Sequence, residues 1–262
     1  MNILDQLAGH ARERVESAKL AKPFDKMMEE ALTLAPGGFE FEKSLKKGDV
    51  AFICECKKAS PSKGLIAPDF PYLDIAIDYE NAGADCISVL TEPKWFLGCN
   101  EYLAQIAKNV RIPCLRKDFT VDAYMIYEAK LLGAGAVLLI CSILDENEIE
   151  AYIGICDRLG ISALVEAHDE EEIKKAAAAG ARVIGVNNRN LKDFTVDMSN
   201  AARLRAAIPD DVIYVSESGI ASAADVQRAR DFGADAVLVG ETLMRAADKK
   251  TKLAELKGSN VL

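Results

Sequence analysis

Eight short apolar runs recur along the chain, and several of them end in charged or amide side chains. Ala51-Phe52-Ile53-Cys54 leads into Glu55-Cys56-Lys57, and Ile112-Pro113-Cys114-Leu115 leads into Arg116-Lys117-Asp118. Ala163-Leu164-Val165 ends at Glu166, and Val183-Ile184-Gly185-Val186 ends at Asn187-Asn188-Arg189. Val212-Ile213-Tyr214-Val215 ends at Ser216-Glu217-Ser218-Gly219. A parallel strand covered on both faces reads as such a near-continuous apolar run. Charged groups are costly to bury without partners. Their return at one end of several strands therefore predicts a single convergent, ionised pocket, and an α/β barrel builds its active site at that end.

Four similar phrases punctuate the pattern: Ala82-Gly83-Ala84-Asp85, Leu132-Gly133-Ala134-Gly135, Ala179-Gly180-Ala181-Arg182 and Phe232-Gly233-Ala234-Asp235. Each closes a helical pattern and precedes an apolar run, where glycine suits the left-handed position past a helix C-terminus. Successive phrases are ~50 residues apart, about two strand–helix units, so four pairs make eight units. The spacing predicts strands near 50–56, 86–90, 113–116, 136–140, 162–166, 183–187, 212–216 and 236–239. Helices are predicted near 72–82, 101–109, 121–132, 145–158, 169–179, 198–207, 223–232 and 241–247. Strict alternation with eight strands predicts a closed (β/α)8 barrel, the TIM-barrel fold, spanning 49–262. The open doubly wound sheet normally has fewer strands and a glycine-rich nucleotide turn after the first; Lys57 to Gly64 is no such turn.

Residues 1–48 form an N-terminal helical extension ahead of the barrel. Leu4, Leu7, Ala8, Ala11, Val15 and Ala18 follow helical spacing. After Pro23, a second stripe comprises Phe24, Met27, Met28, Ala31 and Leu32, ended by Pro36-Gly37-Gly38. A plug under the barrel and a cover over its mouth are the two placements, and the segment is expected to contribute to substrate cover as well as to stability.

Composition narrows the function. Half of the 262 residues are hydrophobic and 28% are charged, as in an ordinary globular protein. A net charge of -9 and a pI near 5.0 argue against nucleic acid or an anionic membrane as partner. They leave room for an anionic small molecule, for which Lys57, Lys117 and Arg189 supply local positive charge. The 7 cysteines and 2 histidines do not form a metal-ligating pattern. Cys54, Cys56, Cys86, Cys114 and Cys141 read as buried small hydrophobes in a reducing compartment. The first twenty residues are charged and amphipathic, unlike a secretory signal, and no stretch is apolar enough to span a membrane; a cytoplasmic protein is expected.

Glu55 and Lys57 lie two apart on one strand and share a face, while Cys54 and Cys56 face the outer helices. Such a pair is either a structural ion pair or part of a site. Lys117 and Glu166 at the ends of further strands favour acid–base chemistry. A lysine of this kind is also suited to a Schiff base. Ser216-Glu217-Ser218-Gly219-Ile220 and Val239-Gly240-Glu241-Thr242 end strands seven and eight, where barrels often bind phosphate. Ser218, Gly219, Gly240 and Glu241 are therefore candidate phosphate contacts, with the Glu241 side chain expected to point away. The proline- and glycine-bearing loop from Lys57 to Tyr72 suits a substrate cover. Trp95 and Phe96 suit either packing or an aromatic ligand, and His168 suits the start of the following helix better than catalysis.

Glu55-Cys56-Lys57-Lys58-Ala59-Ser60-Pro61-Ser62-Lys63-Gly64 closely resembles the signature of the indole-3-glycerol-phosphate synthases, barrel enzymes of tryptophan biosynthesis. Leu90-Thr91-Glu92, Leu115-Arg116-Lys117-Asp118-Phe119, Leu164-Val165-Glu166, Gly185-Val186-Asn187-Asn188-Arg189, Ser216-Glu217-Ser218-Gly219-Ile220 and Val239-Gly240-Glu241 match in order. The resemblance covers nearly the whole chain; Cys56 replaces the usual branched aliphatic residue, and no catalytic position is missing. It implies a monofunctional carboxy-lyase acting on 1-(2-carboxyphenylamino)-1-deoxyribulose 5-phosphate without metal or organic cofactor. It implies Lys117 as the acid at the ketone oxygen, Lys57 on the substrate carboxylate and Glu166 in proton removal. Glu55 and Asn187 complete the catalytic set, while Ser60, Phe96, Phe119, Arg189 and Glu217 are the implied substrate contacts. The expected state is a monomer or weak homo-oligomer. The alternatives are another phosphate-binding barrel isomerase and a non-catalytic barrel that binds a phosphorylated ligand; an intact Glu55, Lys57, Lys117 and Glu166 set speaks against both.

Overall fold

The computed structural model describes residues 3–190 and 195–258. Its central feature is a closed parallel barrel of strands β1 (Ala51–Cys56), β2 (Cys86–Leu90), β3 (Cys114–Lys117), β4 (Ala136–Ile140), β5 (Ser162–Ala167), β6 (Val183–Asn187), β7 (Ile213–Glu217) and β8 (Ala236–Val239). Each strand pairs with its chain neighbours, and β1 closes on β8 through Ala51 opposite Ala236 and Cys54 opposite Val239. The (β/α)8 expectation holds. Three strands end one residue later than the apolar pattern suggests, so Lys117, Ala167 and Glu217 belong to β3, β5 and β7 themselves. The barrel hydrogen bonding carries Lys117 and Glu217 because their side chains find partners inside.

Three helices precede the barrel: α1 (Ile3–Ala21), α2 (Phe24–Thr33) and α3 (Glu40–Leu45). The helices between strands are α4 (Tyr72–Asn81), α5 (Asn100–Asn109), α6 (Ala123–Leu131), α7 (Glu146–Leu159), α8 (Glu170–Ala178), α9 (Ser199–Leu204) and α10 (Ala223–Asp231). After β8 come α11 (Glu241–Arg245) and α12 (Lys249–Leu256). The sixth interstrand helix is shorter than the predicted 198–207, because its end tightens into a 3-10 turn at Arg205–Ala207. The final helix, α12, and a two-residue hairpin pairing Ala59-Ser60 with Gly64-Leu65 were not evident in the pattern. Gly83, Gly133, Gly180 and Gly233 all have φ between 78° and 86°, the left-handed turn that their repeat predicted.

Side chains alternate along each strand between two cores. On β1, Phe52, Cys54 and Cys56 join the outer core with Ile75, Ala76 and Tyr79 of α4. Ala51 and Ile53 point inward, with Cys86, Leu115, Leu164, Val183 and Val215. The seven cysteines are all free; six are buried and Cys99 is partly so.

The extension serves both ends of the barrel. Phe41 and Leu45 of α3, at 0% and 1% exposure, belong to the inner core and seal its lower end. The first turn of α1 lies at the opposite end, where Ile3, Leu4 and Leu7 line the mouth cavity. Between them, Phe24 of α2 meets Tyr127 of α6 edge-on at 5.8 Å. Leu32 departs from the expected stripe and is 42% exposed. It follows the fully buried Ala31 directly, so the helical turn of ~100° per residue carries it off the packed face. Among the described residues no helix is long and apolar enough to cross a membrane.

The plug role of α3 predicts a stability effect remote from the mouth. Phe41→Ala should cost about 3–5 kcal/mol in urea unfolding while the KM of the folded variant stays near the parent value. A loss under about 1 kcal/mol would show that the lower end repacks without the ring.

Candidate active site

Glu55, Lys117, Glu166 and Glu217 stand on β1, β3, β5 and β7 and point into the barrel at its C-terminal end. Side chains from alternate strands form one layer in such barrels. Two residues earlier, the same strands contribute Ile53, Leu115, Leu164 and Val215 to the apolar inner core. The charged layer thus rests on a dry floor. Lys117 Nζ donates to Glu166 Oε2 at 2.9 Å and to Glu217 Oε2 at 3.1 Å. Lys57 Nζ donates to Glu55 Oε1 at 2.6 Å, and Ser88 Oγ donates to Glu55 Oε2 at 3.1 Å. Glu55, Glu166 and Glu217 are each no more than 3% exposed.

Two glycines leave room for this layer. A Cβ on Gly185 would collide with Glu217 Oε1. A Cβ on Gly240 would stand 2.6 Å from Glu55 Oε1 and 2.8 Å from Lys57 Nζ, so β8 ends without a side chain where the first ion pair sits. Gly240 was expected as a phosphate contact; what its position shows is the space it gives the Glu55–Lys57 pair.

Electrostatics follow from burial and from the uneven count of charges. Burial opposes the charged form of Lys117, but the carboxylates of Glu166, Glu217 and Glu55 together hold its pKa above the ordinary value. Burial also works against ionised Glu166, yet Lys117, His168 and Asn187 keep its pKa below normal. Glu217 goes the other way: burial raises it to about 7, Lys117 offsets only part, and the charges of Glu166 and Glu55 add to the rise. Two nearby carboxylates sharing one ammonium are thereby pushed apart in pKa, the usual sign of divided proton-transfer roles.

The layer forms the floor of a cavity of about 700 Å³. Its wall includes every expected catalytic, substrate and phosphate contact: Glu55, Lys57, Ser60, Phe96, Lys117, Phe119, Glu166, Asn187, Arg189, Glu217, Ser218, Gly219, Gly240 and Glu241. Asn187 Oδ1 accepts from Ser218 Oγ at 2.9 Å and from the Arg189 backbone N–H at 3.0 Å, which ties the ends of β6 and β7 together. Phe96 and Phe119 lie with ring centroids 6.0 Å apart. Ser218 and Gly219 adopt consecutive positive φ values of 67° and 91°, a tight turn at the edge of the cavity. The Glu241 carboxylate is drawn to Arg245 at 3.0 Å and Lys63 at 3.7 Å. Trp95 does not line the cavity; it meets His10 edge-on at 5.5 Å and carries Lys94 over its ring.

Sequence reading missed the anchors that hold this wall. Arg14 of α1 grips Asp118 through both carboxylate oxygens, at 3.1 and 2.6 Å, directly beside Lys117. Asp118 also accepts from Thr91 Oγ1 at 2.6 Å. Glu92, fully buried, accepts the backbone N–H groups of Lys94, Trp95 and Phe96 and meets His10 Nδ1 at 3.3 Å. Asp118 and Glu92 sit inside the matched motifs, but their partners lie about 80 to 100 positions away in α1, beyond any local pattern. Among the described residues there is no group of three or more His, Cys, Asp or Glu that could hold a metal ion.

Comparison with known proteins matches residues 4–256 to the family model described as indole-3-glycerol phosphate synthase. An indole-3-glycerol phosphate synthase of Ruminiclostridium cellulolyticum is 56% identical, the match covering 98% of this chain and 99% of that protein. One of Endomicrobium trichonymphae is 50% identical over 97% of this chain and 99% of its own length. Among solved structures, a 3-hexulose-6-phosphate synthase superimposes with a TM-score of 0.64 at 15% identity, covering 80% of this chain and 99% of that one. At that identity it speaks for the barrel fold alone.

The raised pKa of Glu217 predicts a pH-dependent stability. The folded state binds this proton more tightly than the unfolded chain, so the stabilisation is complete below the ordinary carboxyl value and is lost as pH rises through about 7. Glu217→Gln keeps the shape without the charge. Urea unfolding should shift in favour of the variant between about pH 5 and about pH 8.5, relative to the parent. A difference that stays flat across that range would mean that Glu217 is ionised throughout.

Proposed function

Because the chain belongs to the indole-3-glycerol phosphate synthase family, we propose that Lys117 is the acid of its ring closure and Glu166 the base of its dehydration. The protein is a carboxy-lyase of tryptophan biosynthesis. It closes 1-(2-carboxyphenylamino)-1-deoxyribulose 5-phosphate to indole-3-glycerol phosphate with loss of carbon dioxide and water. The observation that carries the assignment is the position of Lys117 Nζ, held between two buried carboxylates on the floor of the mouth cavity.

In this reading the ring carbon that bears the carboxylate attacks the ketone carbon. Negative charge builds on the ketone oxygen, and a positioned ammonium removes it by giving a proton as it develops. Carbon dioxide then leaves, and the bond pair returns to the ring. The new hydroxyl departs as water while Glu166 takes a proton from the neighbouring carbon. Lys57, with its Glu55 partner, receives the substrate carboxylate and steers the reacting carbon. Asn187 positions substrate hydroxyls, and Ser60 and Arg189 bind substrate. Glu217 holds Lys117 from the far side and touches substrate through the same layer. Phe96, Phe119, Leu4 and Leu7 offer an apolar wall to the aryl ring. Phosphate binds at the other end, at Ser218, Gly219, Gly240 and Glu241, through backbone N–H groups. The reaction draws on no organic cofactor or metal, and the protein works in the cytoplasm as a monomer or weak homo-oligomer.

The test is the formation of the indole chromophore, followed by fluorescence, with purified parent and variants. Lys117→Met keeps much of the volume but loses the donor, so kcat should fall by ~10²–10⁴-fold while substrate still binds through its phosphate. Lys117→Arg should not restore it, because a guanidinium scarcely gives up its proton and has another shape. Glu166→Gln should also lower kcat. A Lys117→Met enzyme within about threefold of the parent would pass the acid role to Lys57.

A further inference from the structure

The reaction consumes a proton that its buried acid cannot collect through an occupied mouth. The substrate arrives with an ionised carboxylate, which departs as neutral carbon dioxide and leaves its bond pair in the ring. The ketone oxygen takes one proton on closure and a second when it leaves as water. Only one is given back, from the carbon beside the former ketone. One proton from solvent must therefore reach the Lys117–Glu166 pair in each turnover. Both groups lie under the substrate site: Glu166 is 3% exposed, and Lys117, 13% exposed, lines the mouth cavity that the substrate fills.

A chain of polar groups leads from Glu166 to a different surface. His168 Nε2 lies 3.4 Å from Glu166 Oε1 and has no hydrogen-bond partner among the described residues. Its Nδ1 is 3.1 Å from Glu172 Oε2 on α8 and 3.3 Å from Ser142 Oγ, in the loop after β4. Ser142 Oγ donates to Glu172 Oε1 at 2.5 Å, and the His168 backbone N–H donates to Glu172 Oε2 at 2.8 Å. Ser142, His168 and Glu172 line a second cavity of about 750 Å³, formed by the loops after β4, β5 and β6 and the start of α1; Leu4, Asn187 and Arg189 line both this cavity and the mouth. Glu166 is absent from its wall. His168 and Glu172 are 18% and 15% exposed, against 3% for Glu166, so the chain runs from dry to wet.

The other groups around the imidazole are engaged elsewhere. Asp169 caps α8 through the Glu172 N–H, and Lys175 donates to the carbonyls of Cys141 and Leu144. Asn200 Nδ2 donates to the His168 carbonyl. The ring itself faces two carboxylates. Burial works against its charge, but Glu172 and Glu166 hold its pKa above the ordinary value.

We propose that His168 and Glu172 carry solvent protons from the second cavity to Glu166, and so recharge Lys117 without passing the substrate. The inference rests on the acid–base roles of Lys117 and Glu166 given above. The imidazolium gives its Nε2 proton to Glu166 Oε1, and Glu166 passes a proton through Oε2 to neutral Lys117. The ring keeps its Nδ1 proton. A turn about its Cβ–Cγ bond then offers the bare nitrogen to Glu172, which relays a proton from water.

The route is separable from the chemistry by kinetics. In His168→Ala, a single turnover with enzyme in excess should run within about twofold of the parent, since Lys117 begins charged and the second proton that the oxygen takes comes from the carbon by way of Glu166, leaving Lys117 one proton short only at the end. Steady-state kcat should fall about tenfold or more, with KM little changed, and added imidazole should restore much of it. Glu172→Gln should show the same split between first and later turnovers. Should His168→Ala fail to fold, His168→Gln, which fills the space without carrying charge, should show the slow steady state and no imidazole rescue. An unchanged kcat would overturn the proposal. So would a first turnover slowed as much as kcat, since His168 would then only position Glu166. Absence of indole product from the parent would instead overturn the catalytic reading beneath it.

Discussion

One ammonium group among three buried carboxylates constrains the rest of this molecule. Lys117 cannot be taken out of water at tolerable cost unless Glu166 and Glu217 meet it, and they cannot be buried without it. The contacts of 2.9 and 3.1 Å require β3, β5 and β7 to end at one height. A slip of one residue in any of these strands would turn its charged side chain toward the outer helices. The closed barrel meets the requirement through the register of its neighbours, with Glu166 opposite Gly185 and Asn187 opposite Glu217. Gly185 has no side chain because Glu217 uses that space.

The same constraint explains how the extension is attached. The residues next to the charged layer are also polar and buried: Asp118 is 1% exposed and Glu92 is fully buried. Each needs a cation or N–H donors from outside the barrel, and α1 brings Arg14 and His10 to them. The helix that covers the mouth is therefore fastened beside the strand ends that carry the charged layer. Arg116 gives the outward counterpart. It is 2% exposed and bonds Thr91, the Met125 carbonyl, Asn100 and Glu128. Motion of α1 would disturb Asp118, and through the chain Lys117, so the cover of the mouth and the placement of the Lys117 ammonium are mechanically linked.

Much of this was legible in the sequence because both signals were local. Apolar runs marked the eight strands, and the alternation Cys54, Glu55, Cys56, Lys57 told which side chains face inward. What stayed illegible depends on contacts between distant segments. An amphipathic stripe says that a face is buried but not against what, so α1 could not be placed over the mouth, nor α3 under the floor. The six residues of α3 are too few to show a period. Glu217 was read as a substrate contact from its motif. Its elevated pKa comes from Glu166 and Glu55, on strands it meets only in the closed barrel. His168 was read as serving the next helix, and it does so through Glu172, but its approach to Glu166 depends on strand β5 ending where it does.

The split between scaffold and chemistry also bears on what the fold can say. A barrel with a glycine-bearing turn after β7 and β8 is a general way to hold a phosphate. It leaves open which bond is made at the other end of the ligand. That choice lies in the layer of alternate strands, where four side chains are selected without disturbing the apolar layers below. Here they are three carboxylates and one ammonium, with Lys57 entering from the rim. An excess of negative charge in a buried layer makes the carboxylates differ in proton affinity, one held low and one raised to about 7. A site that must both give and take protons at neutral pH needs that asymmetry, and the geometry of the barrel produces it from chemically identical side chains.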